Sequence, residues 1–239
     1  MKLETRNTIP RPTERPDTTS SAAINLARRA ELGEQKRMRT RAALLRAAIS
    51  VLGKESGRFA TVDNVITESG MARGTFYNYF DSRDQLFAAV ACELSHDFNS
   101  ALDASLVAGA DPAKRASTWI RHYLRRVRAD RQWGWAFVNA SLNGPKLFGD
   151  ESYHEALQTI AAGCATGVFQ VGNREAALDV ALGAVLVSAM TILQGPTKPD
   201  HPEATTEFIL RALGVSVSQA RRVVSLPLPD LRTFAGPRS

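Results

Sequence analysis

One short stretch, Arg73 to Tyr79, concentrates side chains able to do recognition chemistry. Arg73, Thr75, Tyr77, Asn78 and Tyr79 supply a guanidinium, an amide and three hydroxyls, with no carboxylate among them. Arginine pairs bidentately with a guanine edge in the major groove, and a threonine methyl suits a thymine. Arg73 and Thr75 are therefore the candidate base readers. Asn78 can address an adenine edge or a phosphate, and the hydroxyls of Tyr77 and Tyr79 can donate to phosphates. Gly74 lets the backbone approach a surface closely. Two flanking residues extend the set. Thr61, at a predicted helix start, offers a hydroxyl and backbone N–H groups to a phosphate. Arg83 is near enough in sequence to clamp the same strand.

Four predicted helices must hold these groups. In the first, Leu45, Ala48 and Leu52 recur at helical spacing, with Leu44 and Val51 on the flank and Gly57 marking the end. Thr61 is the expected N-cap of a second, short helix carrying Val62, Val65 and Ile66 and stopping at Gly70. The third helix is the Arg73–Tyr79 segment, with Phe76 and Phe80, four apart, anchoring it to a core behind. Ser82 with Gln85 three residues on is a capping box that opens a long helix through Leu86, Val90 and Leu94. Two short helices joined by a tight glycine-containing turn make a helix-turn-helix pattern.

From about Arg37 to Val90 the chain resembles the DNA-binding domain of the tetracycline-repressor (TetR) family. Leu45-Arg46-Ala47-Ala48, Val51-Leu52, Gly57, Thr61-Val62, Val65, Gly70 and above all the unbroken run from Gly74 to Leu86 carry the resemblance. The family usually has alanine where this chain has Ile66, and serine where it has Ala72. The second difference removes an N-cap from the recognition helix. The resemblance implies an all-α protein: an N-terminal three-helix helix-turn-helix domain joined by a long helix to a C-terminal ligand-binding and dimerisation bundle. The expected divisions are a basic arm over 1–33, disordered or partly helical, the DNA-binding domain over 34–82, the regulatory domain over 83–225 and a tail over 226–239.

The charge distribution fits a polyanionic partner. The formal net charge is +6, yet residues 42–91 hold five Lys/Arg and five Asp/Glu, while residues 1–41 hold ten against five. Arms of other helix-turn-helix proteins place arginines in the minor groove. Arg28, Arg29, Lys36, Arg37, Arg39 and Arg41 are the candidates here.

The C-terminal part reads as further helices. Ala116, Trp119, Ile120, Tyr123, Leu124 and Val127 form one apolar stripe, and Arg121, Arg125, Arg126 and Arg128 lie mostly off it, as a solvated face would. A second stripe runs from Tyr153 to Val168 after Asp150, its expected cap. The segment Arg174 to Leu193 is apolar all round, with Leu178, Leu182, Val185, Ala189 and Ile192 on one side and Gly183, Leu186, Met190 and Leu193 on another. Such a helix is buried on both sides. The resemblance implies that it and the next helix form a homodimer interface, with Gly183, Leu186, Met190, Phe208 and Ile209 as candidates. It also implies a small-molecule effector in the bundle, with Trp119, Tyr123, Trp133, Phe137, Phe148 and Met190 as candidate pocket residues, although aromatics at helical spacing ordinarily just fill a core.

The composition agrees with a globular helical protein. Of 239 residues 44% are hydrophobic and only 7% aromatic, which disfavours an all-β fold. Two cysteines provide no disulfide framework, and no Cys/His spacing suggests a metal site. With no apolar signal-type run at its start and no apolar stretch of about 20 residues, the chain is expected to be cytoplasmic and not membrane-bound. No G-x-S-x-G, Gly-Lys-Ser/Thr phosphate loop, G-x-G-x-x-G or H-E-x-x-H is present, so no catalytic residue and no cofactor is expected. The expected function is sequence-specific binding of a palindromic duplex, as a repressor released by ligand. The alternatives are a helical adaptor, or a ligand-independent regulator such as an activator, on the same scaffold. Removal of residues 1–33 is expected to flatten the dependence of log K on log salt by about 0.9 for each phosphate that the arm neutralises. An unchanged slope and affinity excludes a DNA-contacting arm.

Overall fold

A computed structural model describes residues 18–105, 111–144 and 146–230, excluding the side chains at 18–27, 30, 97 and 101–105. The expected disorder of residues 1–17 and the end of the expected tail, 231–239, lie outside this range. The described elements are all helical: α1 Thr18–Leu52, a 3-10 turn Glu55–Phe59, α2 Val62–Ser69, α3 Arg73–Tyr77, α4 Arg83–Ser105, α5 Pro112–Ala129, α6 Arg131–Asn143, α7 Gly149–Ala165, α8 Arg174–Gln194, α9 His201–Ala212 and α10 Val217–Val224. By compactness the chain divides into residues 1–42 and 43–239. Both this division and the expected boundary at 33/34 fall within α1, which continues through Gly33. One helical glycine costs about 1 kcal/mol, which a 35-residue helix absorbs. Within 1–42, Arg28, Arg29, Lys36, Arg37, Arg39 and Arg41 are all exposed.

Within 43–239 the start is built as a cradle for α2 and α3. Leu44, Leu45, Ala48 and Leu52 of α1 are buried with Val65, Phe76, Phe80 and Leu86. Helix α1 ends at Leu52, earlier than Gly57. Gly57 serves a different purpose: a Cβ there would lie 2.5 Å from the Leu52 carbonyl oxygen. It is the close approach of two backbones, not a left-handed helix end, that calls for glycine at this position.

The bundle behind is made of α4 to α10. Side chains cap several of its helices: Asp111 accepts from the backbone N–H groups of Ala113 (3.0 Å) and Lys114 (3.1 Å), Asp130 from Trp133 (3.0 Å), Asn173 from Ala176 (2.9 Å) and Ser216 from Gln219 (3.3 Å). The α7 start departs from expectation. Asp150 does not cap it but pairs with Lys146 at 3.1 Å, and Phe148 precedes the helix with φ 66°. A buried phenylalanine in that left-handed conformation costs about 1–2 kcal/mol, offset by its aromatic contacts.

The arginines of α5 are not a solvated face. Arg121 is buried and donates to Glu203 at 3.2 Å and to the Leu226 carbonyl at 2.9 Å, and Arg125 reaches the same Glu203 oxygen at 2.7 Å. Arg128 donates to the carbonyls of Pro199 and Lys198, both at 2.9 Å. Arg126 lies 4.3 Å from the Trp133 ring centroid. Burial alone would raise the Glu203 carboxyl, but hydrogen bonds from Arg125 and Arg121 outweigh it and hold the group below its ordinary value. These contacts fasten α9 and the segment after α10 onto α5. Helix α8 has the length and composition of a membrane span, yet it packs on α5, α6, α7 and α9.

His122, beneath the segment after α10, is held at a pKa of about 4, first by burial and then by Arg125. A folded value below the unfolded 6.5 means that the unfolded chain binds the extra proton between them. The stability His122 contributes is therefore complete above the unfolded value and is lost as pH falls toward the folded one. Replacing His122→Gln is expected to reduce the loss of stability between about pH 7 and pH 5 by about 1 kcal/mol, read as a smaller drop in Tm. An equal drop in both proteins contradicts this assignment.

Candidate nucleic-acid interface

The recognition segment owes its shape to caps on both sides. Thr61 Oγ1 accepts from the Asn64 N–H at 3.3 Å, while the Thr61 N–H donates to Asn64 Oδ1 at 2.9 Å, closing a box around the start of α2. Gly70 ends α2 in the left-handed region at φ 65°, where glycine meets no Cβ penalty. Ala72 gives α3 no side-chain cap, so this five-residue helix depends on packing. Phe76 and Phe80 supply it: both are buried, their ring centroids 5.9 Å apart. After them Ser82 Oγ accepts from the Gln85 N–H at 3.1 Å and starts α4.

On the other side of α3 the polar groups face solvent. Arg73, Gly74, Tyr77 and Asn78 are exposed, and Thr75 is half-buried. The Tyr77 ring meets Phe76 edge-on at 5.1 Å and remains 47% exposed. Tyr79 is half-buried against the hydrophobic core, so less of it is available than of Tyr77. Thr61 is exposed, but its hydroxyl already donates to Asn64 Oδ1 at 2.9 Å. With that oxygen engaged, the Asn64 amide nitrogen becomes the natural donor at this helix start. Asn64 was not among the expected contacts, and its place at N3 of a capping box was the signal for it. Arg83 is half-buried, 3.2 Å from Asp84 and 5.6 Å from the Phe87 ring centroid. Arg73 pairs with Asp63 of α2. Ser50 of α1 donates to Glu68 of α2 at 2.7 Å.

The C-terminal candidates separate into different places. Trp119, Tyr123, Trp133, Phe137 and Phe148 pack together with Phe98, and Trp119 stacks on Tyr123 at 5.4 Å while Trp133 stacks on Phe137 at 5.1 Å. Tyr123 is wholly buried, and its hydroxyl has no hydrogen-bond partner among the described residues. Burial pushes this phenol far up, so it stays protonated. A cavity of about 70 Å³ lies beside this cluster, not inside it, and only Trp119 of the six candidates lines it. The other walls include Ala116, Ser152, Thr159, Phe169, Leu182 and Val185. Met190 belongs to neither place and is half-buried on α8.

The interface candidates divide too. Leu186 and Ile209 are buried in the protomer's own core, Gly183 and Met190 are half-buried, and Phe208 is exposed. Val180 and Val187, seven apart on α8, are also exposed. Thr191, exposed four residues beyond Val187, lies on this same side and is the polar residue that marks it.

Helix α6 joins the two regions. The Asn139 amide donates to the carbonyls of Leu52 (2.9 Å) and Lys54 (3.0 Å), capping the end of α1 from a helix whose Trp133 and Phe137 belong to the aromatic cluster. Among the described residues no group of three His, Cys, Asp or Glu side chains is placed to hold a metal.

Comparison with known proteins follows the same division. A family model described as bacterial regulatory proteins, tetR family, matches residues 44–90, and one described as tetracyclin repressor-like, C-terminal domain, matches residues 111–226. The structure of RolR with its ligand resorcinol is 27% identical, with a TM-score of 0.64 over 83% of this chain and 99% of that one. RolR without ligand is 25% identical, with a TM-score of 0.61 over 80% and 99%. A tetR family transcription regulator from Shewanella sp. PV-4 shares the fold at 19% identity, with a TM-score of 0.57 over 73% and 97%. No curated protein matches the chain.

The Asn139 cap generates a direct test. Asn139→Ala removes the side-chain donor from the Leu52 carbonyl, while the Lys54 carbonyl keeps the Gly57 N–H at 2.9 Å, and is expected to cost about 1–3 kcal/mol, read as a lower Tm in the full chain. Asn139→Asp keeps the shape but offers no donor and is expected to do at least as badly. Unchanged stability in both variants contradicts the cap.

Proposed function

The chain belongs to the tetracycline-repressor (TetR) family of DNA-binding transcriptional regulators, and from that premise we propose that it is a repressor, released from its operator by a small molecule bound in the C-terminal bundle. The observation that carries this is the two-sided α3. Phe76 and Phe80 fix it from behind, and Gly74, Tyr77 and Asn78 face outward. Arg73 and Thr75 read base edges in the major groove. Tyr77, Asn78, Arg83 and the capped start of α2 at Thr61 and Asn64 hold phosphates. Tyr79 adds its polar tip to the same strand.

A second copy of the chain completes the reader. Val180 and Val187 of α8 and Phe208 of α9 are 58%, 63% and 65% exposed, which suits the apolar centre of an interface between protomers. Two recognition helices related by a two-fold axis then meet successive major grooves of a palindrome. The place of action is the cytoplasm.

The effector is a compact, largely apolar molecule with a hydrogen-bonding group. The cavity beside Trp119, with Ser152 and Thr159 among its mostly apolar walls, supports this, as does the resorcinol bound by RolR. At about 70 Å³ the cavity must widen to admit a ring, since an apolar cavity that takes up benzene is about 150 Å³. That widening is the differential interaction a ligand needs, because equal affinity for both states shifts nothing. Helix α6 carries the movement to the end of α1 through Asn139.

Fluorescence anisotropy with duplexes from the DNA upstream of its gene tests this reading. The full chain is expected to bind one such duplex saturably, with two protomers per duplex and strong salt dependence, and resorcinol or a related phenol is expected to release it. Affinity no greater than for random duplex overturns the reading. Specific binding that no small molecule releases overturns its ligand-controlled part.

A further inference from the structure

Only two Lys or Arg side chains lie between residues 59 and 113, Arg73 and Arg83, and each is held by a carboxylate, Asp63 and Asp84 respectively. The Arg83 pair joins sequence neighbours. The Arg73 pair joins two helices: Asp63 sits in the first turn of α2, Arg73 is the first residue of α3, and Arg73 Nη2 donates to Asp63 Oδ1. Both side chains are more than half exposed. An exposed ion pair contributes little to stability, so the pair must be judged by what it does to the guanidinium.

Resting on the DNA-binding reading above, we propose that Asp63 is a specificity-determining residue, which holds Arg73 in position for one base and keeps backbone phosphate from claiming it. Arginine has five N–H donors, and a guanine edge needs two. Asp63 takes one through Nη2 and leaves enough for a bidentate contact. A long side chain already fixed loses less freedom on binding, so more of the contact appears as affinity for the right base. The carboxylate acts also on wrong sites. Where no guanine lies opposite, its charge faces phosphates with nothing gained in return, and binding to non-operator duplex weakens. The near-zero charge of residues 42–91 works in the same direction, since non-specific affinity comes almost wholly from neutralised phosphates. An acidic residue in the first turn of α2 also favours the helix dipole, but that role predicts no change in base preference.

The test is selection from a random duplex library with the full-length chain, its Asp63→Asn, Asp63→Ala and Arg73→Ala variants, and the Asp63→Ala/Arg73→Ala double variant. The unsubstituted chain is expected to select a palindromic motif with a guanine at one symmetric position, and Arg73→Ala to lose preference there. Asp63→Asn and Asp63→Ala are expected to keep the rest of the motif, to blur that same position, and to bind random duplex more tightly. The ratio of operator to random affinity is expected to fall about tenfold in each. The double variant should be no worse at that position than Arg73→Ala alone. Asp63 variants with an unaltered motif and ratio overturn the proposal while leaving the DNA-binding reading intact. An Arg73→Ala motif unchanged at every position likewise overturns it. Failure of the unsubstituted chain to select any motif overturns both.

Discussion

Everything at the DNA-facing end depends on the burial of two phenylalanines behind a helix too short to stand alone. A five-residue helix barely completes the nucleation step of helix formation, and α3 has no side-chain N-cap to help it. Burying Phe76 and Phe80 contributes about 1.5–3 kcal/mol each, which offsets part of the cost of ordering the turn. Their spacing also sets which residues are left outside. With positions 76 and 80 inward, Gly74, Tyr77 and Asn78 can only face away. The capping box at Thr61, the left-handed Gly70 and the Ser82 cap then fix where the segment begins and ends.

The second constraint is that this end is not autonomous. The last carbonyl of α1, that of Leu52, takes a donor from Asn139, which lies on α6, almost all of whose residues from Trp133 onward are buried. One helix, α6, thus carries both part of the aromatic cluster and the side chain that caps α1. The cluster itself is dense except at one polar point, the Tyr123 hydroxyl. A group that a protein buries without a partner is destabilising by about 1–3 kcal/mol.

Much of this was legible in the residues because local chemistry decided it. Thr61, Gly70, Ser82 with Gln85, and Phe76 with Phe80 mark caps, a turn and an anchored face by types and spacings that physical rules recognise. Where tertiary contacts decided, the chain was silent. Nothing in the order of Arg121, Arg125 and Arg128 reveals that Glu203 and the carbonyls of Pro199 and Lys198 are waiting for them. The outward stripe of α8 is marked only by Asp179 and Thr191, too few polar residues to stand out in an otherwise apolar run. The six aromatic and sulfur-bearing candidates of the bundle mixed true core with one cavity wall, since packing and lining use the same residue types. Gly57 was visible as a glycine but not as the site where the Leu52 backbone comes within reach.

The central claim is that the outward side of α3, with the capped start of α2, is what touches duplex DNA. Hydrogen–deuterium exchange of the full chain, alone and saturated with a duplex it binds, measures this most directly. The account predicts slowed exchange over residues 61–64 and 72–79 on binding, stronger than anywhere else between 43 and 230. Tight binding that leaves those two segments exchanging at their free rates, with protection elsewhere, would contradict it.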